Sequence, residues 1–413
     1  MTLIDLFPTW QVTAAERAED IPSSVERRIE AALDTRLIRR WPFEPNARAD
    51  LLLVAGSVAS WMVRARGRRV FVSRGAKGRA DGSVSAPPET LAEVLEGRRS
   101  GVEAWLEGRL TVRGNIALAM KLEGLLRNED RPVRFPQPGF VHAHGIDTFY
   151  VQAGQGPPVV LLHGLGASNA SMLPTLYDLA RDHRVVALDL PGFGESSKPI
   201  RAYHAGFFAK WLVATLDALG IERAHLVGNS MGGRIAIEAA LRFPERVDRL
   251  ALLAPAVAFR KLRQFVPLVR VLRPELGAVP LPLPRLTVTR TIERLFAQKS
   301  RIPKAWFQAG ADEFIRIFAT ARGRVAFFSA AREIYLDEPF GQKGFWDRLA
   351  TLRRPALFLW GDRDVMVPHG FARHVEMAVP NAQSIVLADC GHVPQFENPQ
   401  LLHRLIREFL ATR

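Results

Sequence analysis

The sequence has 413 residues, 48% apolar and 24% charged, with 31 glycines and 28 prolines. That length is too great for one ordinary core and predicts two domains, and the proportions exclude a disordered or collagen-like chain. A net charge of +14 fits either an anionic partner or a solvated arginine-rich surface, and the single cysteine, Cys390, excludes an internal disulfide and a cysteine-rich metal site.

Residues 1–10 carry no basic segment leading into an apolar core, so no secretory signal is read and the expected location is cytoplasmic. No uncharged apolar run of about eighteen residues predicts a membrane span. Ser23-Ser-Val-Glu26 is patterned as a capping box, and Val25, Ile29, Ala32 and Leu33 follow at helical spacing. Strand-like runs come next at 51–54, 57–64 and 69–73. A helix entered through prolines is expected over 86–95, a short extended stretch over 110–112, and a last helix over 117–126. Together these describe a small α+β domain.

Arg131-Pro-Val-Arg-Phe-Pro-Gln-Pro-Gly139 can continue neither a helix nor a central strand. The expected domains are therefore 1–135 and 136–413. Beyond the break the order turns to alternating strands and helices, which predicts an α/β domain with a parallel sheet. Short apolar runs at 158–162, 185–188, 225–227, 250–253 and 356–360 read as fully buried strands. Over about 256–350 the alternation stops and helical patterns take over, as an insertion between two strands. This insertion carries 17 basic and 8 acidic side chains, net +9. No helix-turn-helix, zinc-finger or RNP-type pattern accompanies the charge, so no nucleic-acid partner is expected.

Gly228-Asn-Ser-Met-Gly232 contains G-x-S-x-G between a strand and a helix. Small residues on both sides let the backbone turn sharply there and lift the Ser230 hydroxyl out of the sheet. A serine hydroxyl is a weak nucleophile and needs a base, which in turn needs an orienting acid. In a strand–elbow–helix setting the order is serine, acid, histidine. Downstream, Asp362 and Asp364 follow one strand and His392 follows the next. His369, His374 and His403 fall in or at the entrance of helical patterns and are set aside. An oxyanion would take the amide of Met231 and one from the loop Leu162-His-Gly-Leu-Gly166, presented by Leu165 or Gly164. His163 is expected only to hold that loop. Ten scattered histidines with no HExxH predict no metal, and no cofactor is implied.

His163-Gly-Leu-Gly166, Asp189-Leu-Pro-Gly-Phe-Gly194, Gly228–Gly232, Gly361-Asp-Arg-Asp364 and Gly391-His392 together resemble the α/β-hydrolase family over about residues 139–413. The resemblance implies Ser230, Asp364 and His392 as a triad, with Asp364 rather than Asp362 as the acid, and a helical lid over 256–350. Ser230 argues against the relatives that use an aspartate nucleophile. Asn229-Ser-Met-Gly-Gly also resembles the carbon–carbon bond hydrolases of ring-cleavage products, but Ala167-Ser-Asn-Ala-Ser-Met172 departs from their loop. A serine esterase or lipase-like enzyme acting on an apolar or lipid-like ester is therefore expected. The alternatives are carbon–carbon bond hydrolysis and a non-enzymatic lipid carrier.

Within the insertion, residues 259–273 interleave cationic and apolar side chains, with Leu262, Phe265, Val266, Val269 and Leu272 on one helical face and a kink at Pro267. Such a segment either covers the active site or lies on an anionic membrane. Residues from about 20 to 128 resemble the sterol carrier protein type 2 family, on the run 56–73, Ala80-Asp-Gly-Ser-Val-Ser85, the helix 89–95 and Leu110-Thr-Val-Arg-Gly-Asn115. That resemblance implies a lipid-binding domain without catalytic residues.

Overall fold

The computed structural model describes residues 23–44, 46–57, 59–75, 80–126, 135–257, 266–271, 273–342 and 344–411. The amphipathic reading of 259–265, and Leu272, lie outside the described residues. The chain divides into two compact units, 1–132 and 133–413. No helix among the described residues is long and apolar enough to cross a membrane.

The first unit runs α1 (Ser23–Thr35), β1 (Arg48–Ala55), β2 (Ala59–Arg66), β3 (Arg69–Arg74), β4 (Gly82–Ala86), α2 (Pro88–Leu95), α3 (Gly101–Leu106), β5 (Thr111–Gly114) and α4 (Ile116–Leu125). Its five strands are ordered β3-β2-β1-β4-β5, and only the β1–β4 pair is parallel. Leu51, Leu53 and Ala55 turn one face of β1 into the core, where α4 packs. The cavity there, lined by Trp41, Leu51, Val63, Leu118, Leu122 and Leu125 among others, measures only about 10 Å³. One turn of α4 also buries Lys121, which pairs with Glu44 and lies 5.9 Å from the Trp41 ring centre. Two elements escape the sequence reading. β4 hides in a Gly/Ser-rich stretch that lacks strand propensity, and α3 is too short for a periodic signal, although its N-cap Ser100 accepts from the Val102 amide at 3.2 Å.

The second unit begins with β6 (Gln137–Ala143), β7 (Ile146–Ala153), β8 (Pro158–Leu162), α5 (Leu173–Leu179), β9 (Arg184–Leu188), α6 (Ala205–Ala218), β10 (Ala224–Asn229), α7 (Met231–Arg242) and β11 (Val247–Leu253). The insertion contributes α8 (Val266–Val271), α9 (Arg285–Glu293), α10 (Lys304–Phe318), α11 (Ala321–Tyr335) and α12 (Phe345–Leu349). Then β12 (Ala356–Gly361), α13 (Phe371–Ala378), β13 (Gln383–Leu387), α14 (Pro394–Glu397) and α15 (Pro399–Ala411) complete the fold. The sheet order is β13-β12-β11-β10-β8-β9-β7-β6. Pro138 and Gly139, which can continue neither a helix nor a central strand, sit inside β6. The sheet tolerates them because β6 is its edge, where a missing amide leaves no partner unsatisfied. The β6–β7 hairpin is antiparallel and missing from the sequence reading, since neither strand is a continuous apolar run.

β8 pairs with β9 on one side and β10 on the other, both parallel. The chain thus leaves β8 in one direction and returns to its opposite flank. The carboxyl ends of β8 and β10 open a crevice at that reversal, which is where an open α/β sheet places its chemistry.

Candidate active site

Ser230 stands at the carboxyl end of β10 and caps α7, with φ +52° and ψ −115°. A non-glycine residue there is strained by about 1–3 kcal/mol and is held only by its surroundings. Three backbone bonds hold it. The Ser230 amide donates to Leu253 O at 2.9 Å, and its carbonyl accepts from Arg234 N at 3.1 Å and Ala256 N at 2.8 Å. The flanking glycines explain the tight turn. A Cβ on Gly228 would stand 2.5 Å from Gly233 N, and one on Gly232 would collide with the Leu162 carbonyl at the end of β8. Gly164, in the loop after β8, lies against the same turn, 3.4 Å from Ser230 Cβ by its own ideal Cβ position. Met231 is the first residue of α7, so its amide has no acceptor within the helix.

His392 and Asp364 are brought together: Nδ1 lies 2.7 Å from Oδ2. The other oxygen, Oδ1, accepts from Met366 N at 2.7 Å and Val367 N at 2.9 Å. A carboxylate that only accepts places the imidazole proton on Nδ1 and leaves Nε2 as the basic nitrogen. Asp362 does different work, since its Oδ1 accepts from Cys390 N at 3.0 Å and braces the histidine loop. The side chain of Asn229 ties that loop to the serine turn, donating from Nδ2 to His392 O and to Leu253 O, each at 3.1 Å. Glu397 ties the loop to the insertion by accepting from Gly391 N, Ala297 N and Gln298 N at 2.6, 2.6 and 3.0 Å. Ser230, Asp364 and His392 are all buried.

His163 is fully buried beneath the β8 loop. Its Nδ1 donates to Gly164 O at 2.8 Å and its Nε2 accepts from Leu190 N at 3.0 Å. Burial pushes the imidazole down to about 4 from 6.5. The unfolded chain therefore binds the extra proton between those values, so stability falls as the pH drops from 6.5 to 4. A shift of that size corresponds to about 3 kcal/mol. Denaturant unfolding at pH 7 and pH 4.5 should show this loss in the wild type and a smaller one in His163→Asn; equal losses would refute it.

Tyr335, the last residue of α11, hydrogen-bonds the Ser230 side chain. Burial raises its pKa, which keeps the phenol protonated. Two residues on, Asp337 pairs with Arg234 of α7, which lies 3.8 Å over the Phe345 ring. Arg348 bridges Asp337 at 3.1 Å and Glu238 at 2.6 Å. Burial lowers the fully enclosed Arg234 to about 10, against the pull of Asp337 and Glu238. This network fixes the insertion to the helix that Ser230 caps. Higher up, a Cβ on Gly166 would stand 2.8 Å from Phe314 and 2.9 Å from Phe327. Aromatic side chains thus roof the β8 loop. Nothing in the sequence marks Tyr335, because no short motif places an insertion residue over the serine. Among the described residues, no group of His, Cys, Asp and Glu side chains could hold a metal ion.

The family model of the alpha/beta hydrolase fold matches residues 157–399. The chain belongs to the alpha/beta hydrolase family. A second model, the SCP-2 sterol transfer family, matches residues 49–127. This alpha/beta hydrolase is 31% identical over 284 residues to a 2-hydroxy-6-oxo-2,4-heptadienoate hydrolase of Pseudomonas putida, covering 66% of this chain and 95% of that one. It is 32% identical over 291 residues to the dihydrolipoyllysine-residue acetyltransferase component of an acetoin cleaving system in Cupriavidus necator, covering 66% and 68%. Among solved structures it is similar to a membrane phospholipase A, with a TM-score of 0.57 and 28% identity, over 67% of this chain and 86% of that one. The meta-cleavage product hydrolase of Pseudomonas fluorescens is similar at a TM-score of 0.55 and 27% identity, over 66% and 96%. In this alpha/beta hydrolase the insertion between β11 and β12 is the helical lid.

Proposed function

We propose that the second unit is a serine hydrolase that cleaves an apolar or lipid-like ester. The observation that carries the reading is the 2.7 Å contact of His392 with Asp364 in the loops facing the strained Ser230 turn. Ser230 Oγ attacks the carbonyl carbon while His392 Nε2 takes its proton. The tetrahedral oxyanion draws on the Met231 amide and on Leu165 or Gly164. The carbon–oxygen bond then breaks and the alcohol leaves with the proton from His392. Water repeats the sequence on the acyl-enzyme and frees the acid. Asp364 steadies the imidazolium throughout.

Tyr335 hydrogen-bonds Ser230 and holds it in the lid's shelter. Tyr335→Phe should lower kcat/KM for an apolar ester by about tenfold, equivalent to about 1.4 kcal/mol. An unchanged value would reduce Tyr335 to packing.

The aromatic roof over Gly166 and the phospholipase likeness support an apolar acyl group. The first unit, matched to a sterol transfer family, suits a lipid-like ligand, although the apolar cavity beneath α4, about 10 Å³, would have to open before an acyl chain entered there. A contact with an anionic membrane belongs to the same reading. Carbon–carbon bond hydrolysis is the second reading, favoured by Asn229-Ser-Met-Gly-Gly and by two similar ring-cleavage-product hydrolases. The purified chain should hydrolyse a p-nitrophenyl acyl series and label with a fluorophosphonate. Labelling with turnover only of vinylogous 1,5-diketones would decide for the second reading. No labelling and no turnover would leave a lipid carrier.

A further inference from the structure

From the end of α8 to the start of α9, five apolar side chains face solvent. Val271, Val279 and Leu286 are 69%, 54% and 61% exposed, and Leu276 and Leu281 are exposed as well. These are five of the eleven large apolar side chains exposed among the described residues, gathered between positions 271 and 286. The local backbone explains why they do not fold inward. Pro280, Pro282 and Pro284 alternate with Val279, Leu281 and Leu283, and Val279 and Pro284 have extended dihedrals of −81°, 129° and −59°, 123°. A proline-rich strip of this kind donates few amides and stays extended. It is nevertheless firmly seated. Arg324 Nε donates to Gly277 O at 2.8 Å, and Arg332 Nη1 donates to Val269 O at 3.1 Å and Arg270 O at 2.7 Å. Both arginines belong to α11, the helix that ends in Tyr335.

The rim of the strip is cationic. Arg270, Arg273, Arg290 and Arg294 are exposed, against one exposed acid, Glu275, over the same stretch. We infer that Arg270, Val271 and residues 273–294 form a docking surface for an anionic lipid bilayer, with Val279, Leu281 and Leu286 entering the headgroup–acyl boundary and the arginines meeting lipid phosphates. Apolar side chains ringed by arginine match an anionic interface on both counts. A second copy of the chain fits poorly, because a two-fold interface would set the same arginines against each other. The inference deepens the reading of a lipid-like ester, since the docked strip lies on the helix that carries Tyr335. It is read by binding alone, so it fails separately from the hydrolytic assignment.

The test uses the full chain and sedimentation with vesicles of phosphatidylcholine, with and without phosphatidylglycerol. The chain should sediment with the anionic vesicles, with weaker binding to neutral ones and at high salt. The exposed triple change Val279→Ser, Leu281→Ser, Leu286→Ser should reduce partitioning at least about tenfold while leaving the thermal midpoint unchanged. Double replacement of Arg290 and Arg294 by Gln should remove the preference for anionic lipid. No sedimentation with either vesicle, or equal partitioning of the triple variant, overturns the inference. So does a dimer by light scattering that the triple change converts to a monomer, which would make the strip a contact between copies.

Discussion

Ser230→Ala should lower kcat for ester hydrolysis by about 10⁴-fold or more and abolish fluorophosphonate labelling, because alanine removes the only atom that can form the acyl-enzyme. The variant should fold. Its backbone bonds to Leu253, Arg234 and Ala256 do not involve the hydroxyl, and alanine bears the same strain at φ +52° that serine does. What disappears is the hydrogen bond with Tyr335. A net loss of about 1 kcal/mol in stability is expected from that alone, well short of unfolding. Initial rates with a p-nitrophenyl ester, beside thermal midpoints of both proteins, separate chemistry from folding. Retention of even a hundredth of the rate would remove Ser230 from the reaction and take the proposed mechanism with it.

The serine turn was legible from sequence because its constraint is local. Gly228 and Gly232 meet within four positions, where backbone crosses backbone, and only glycine fits. The parallel strands were legible for a similar reason: burial on both faces writes continuous apolar runs such as 158–162 and 356–360. Legibility ends where the constraint is long-range. Asn229 reaches the His392 carbonyl across 163 positions, and Glu397 gathers amides from the lid about 100 positions away. Neither partner leaves a trace beside the other in sequence. Tyr335 is harder still, because its role depends on how α11 ends, and that is set by the Asp337–Arg234 pair. β6 teaches the opposite lesson. Its proline is a breaker by composition, yet it is harmless at an edge, and edge position is a property of topology.

The two aspartates of Gly361-Asp-Arg-Asp364 should respond very differently to the same change. Asp364→Asn should cost about 10⁴-fold in kcat, and Asp362→Asn should cost less than about threefold. At Asp364 one oxygen is already held by the Met366 and Val367 amides, which a carboxamide oxygen satisfies equally well. The amide nitrogen must then face His392, whose Nδ1 would be forced to accept. That moves the ring proton to Nε2, the atom required as the base, and the serine loses its proton acceptor without any change in packing. At Asp362 the side chain accepts from the backbone amides of Cys390, at 3.0 Å, and of Asp389, and neither bond touches His392, so a carboxamide there leaves the imidazole tautomer unchanged. Steady-state rates across pH 6 to 9 decide the matter: the first variant should gain activity as hydroxide replaces the lost base, and the second should trace the wild-type profile. If the two variants lose activity equally, the acid has been misassigned, and the 2.7 Å contact between His392 and Asp364 serves only to hold the loop.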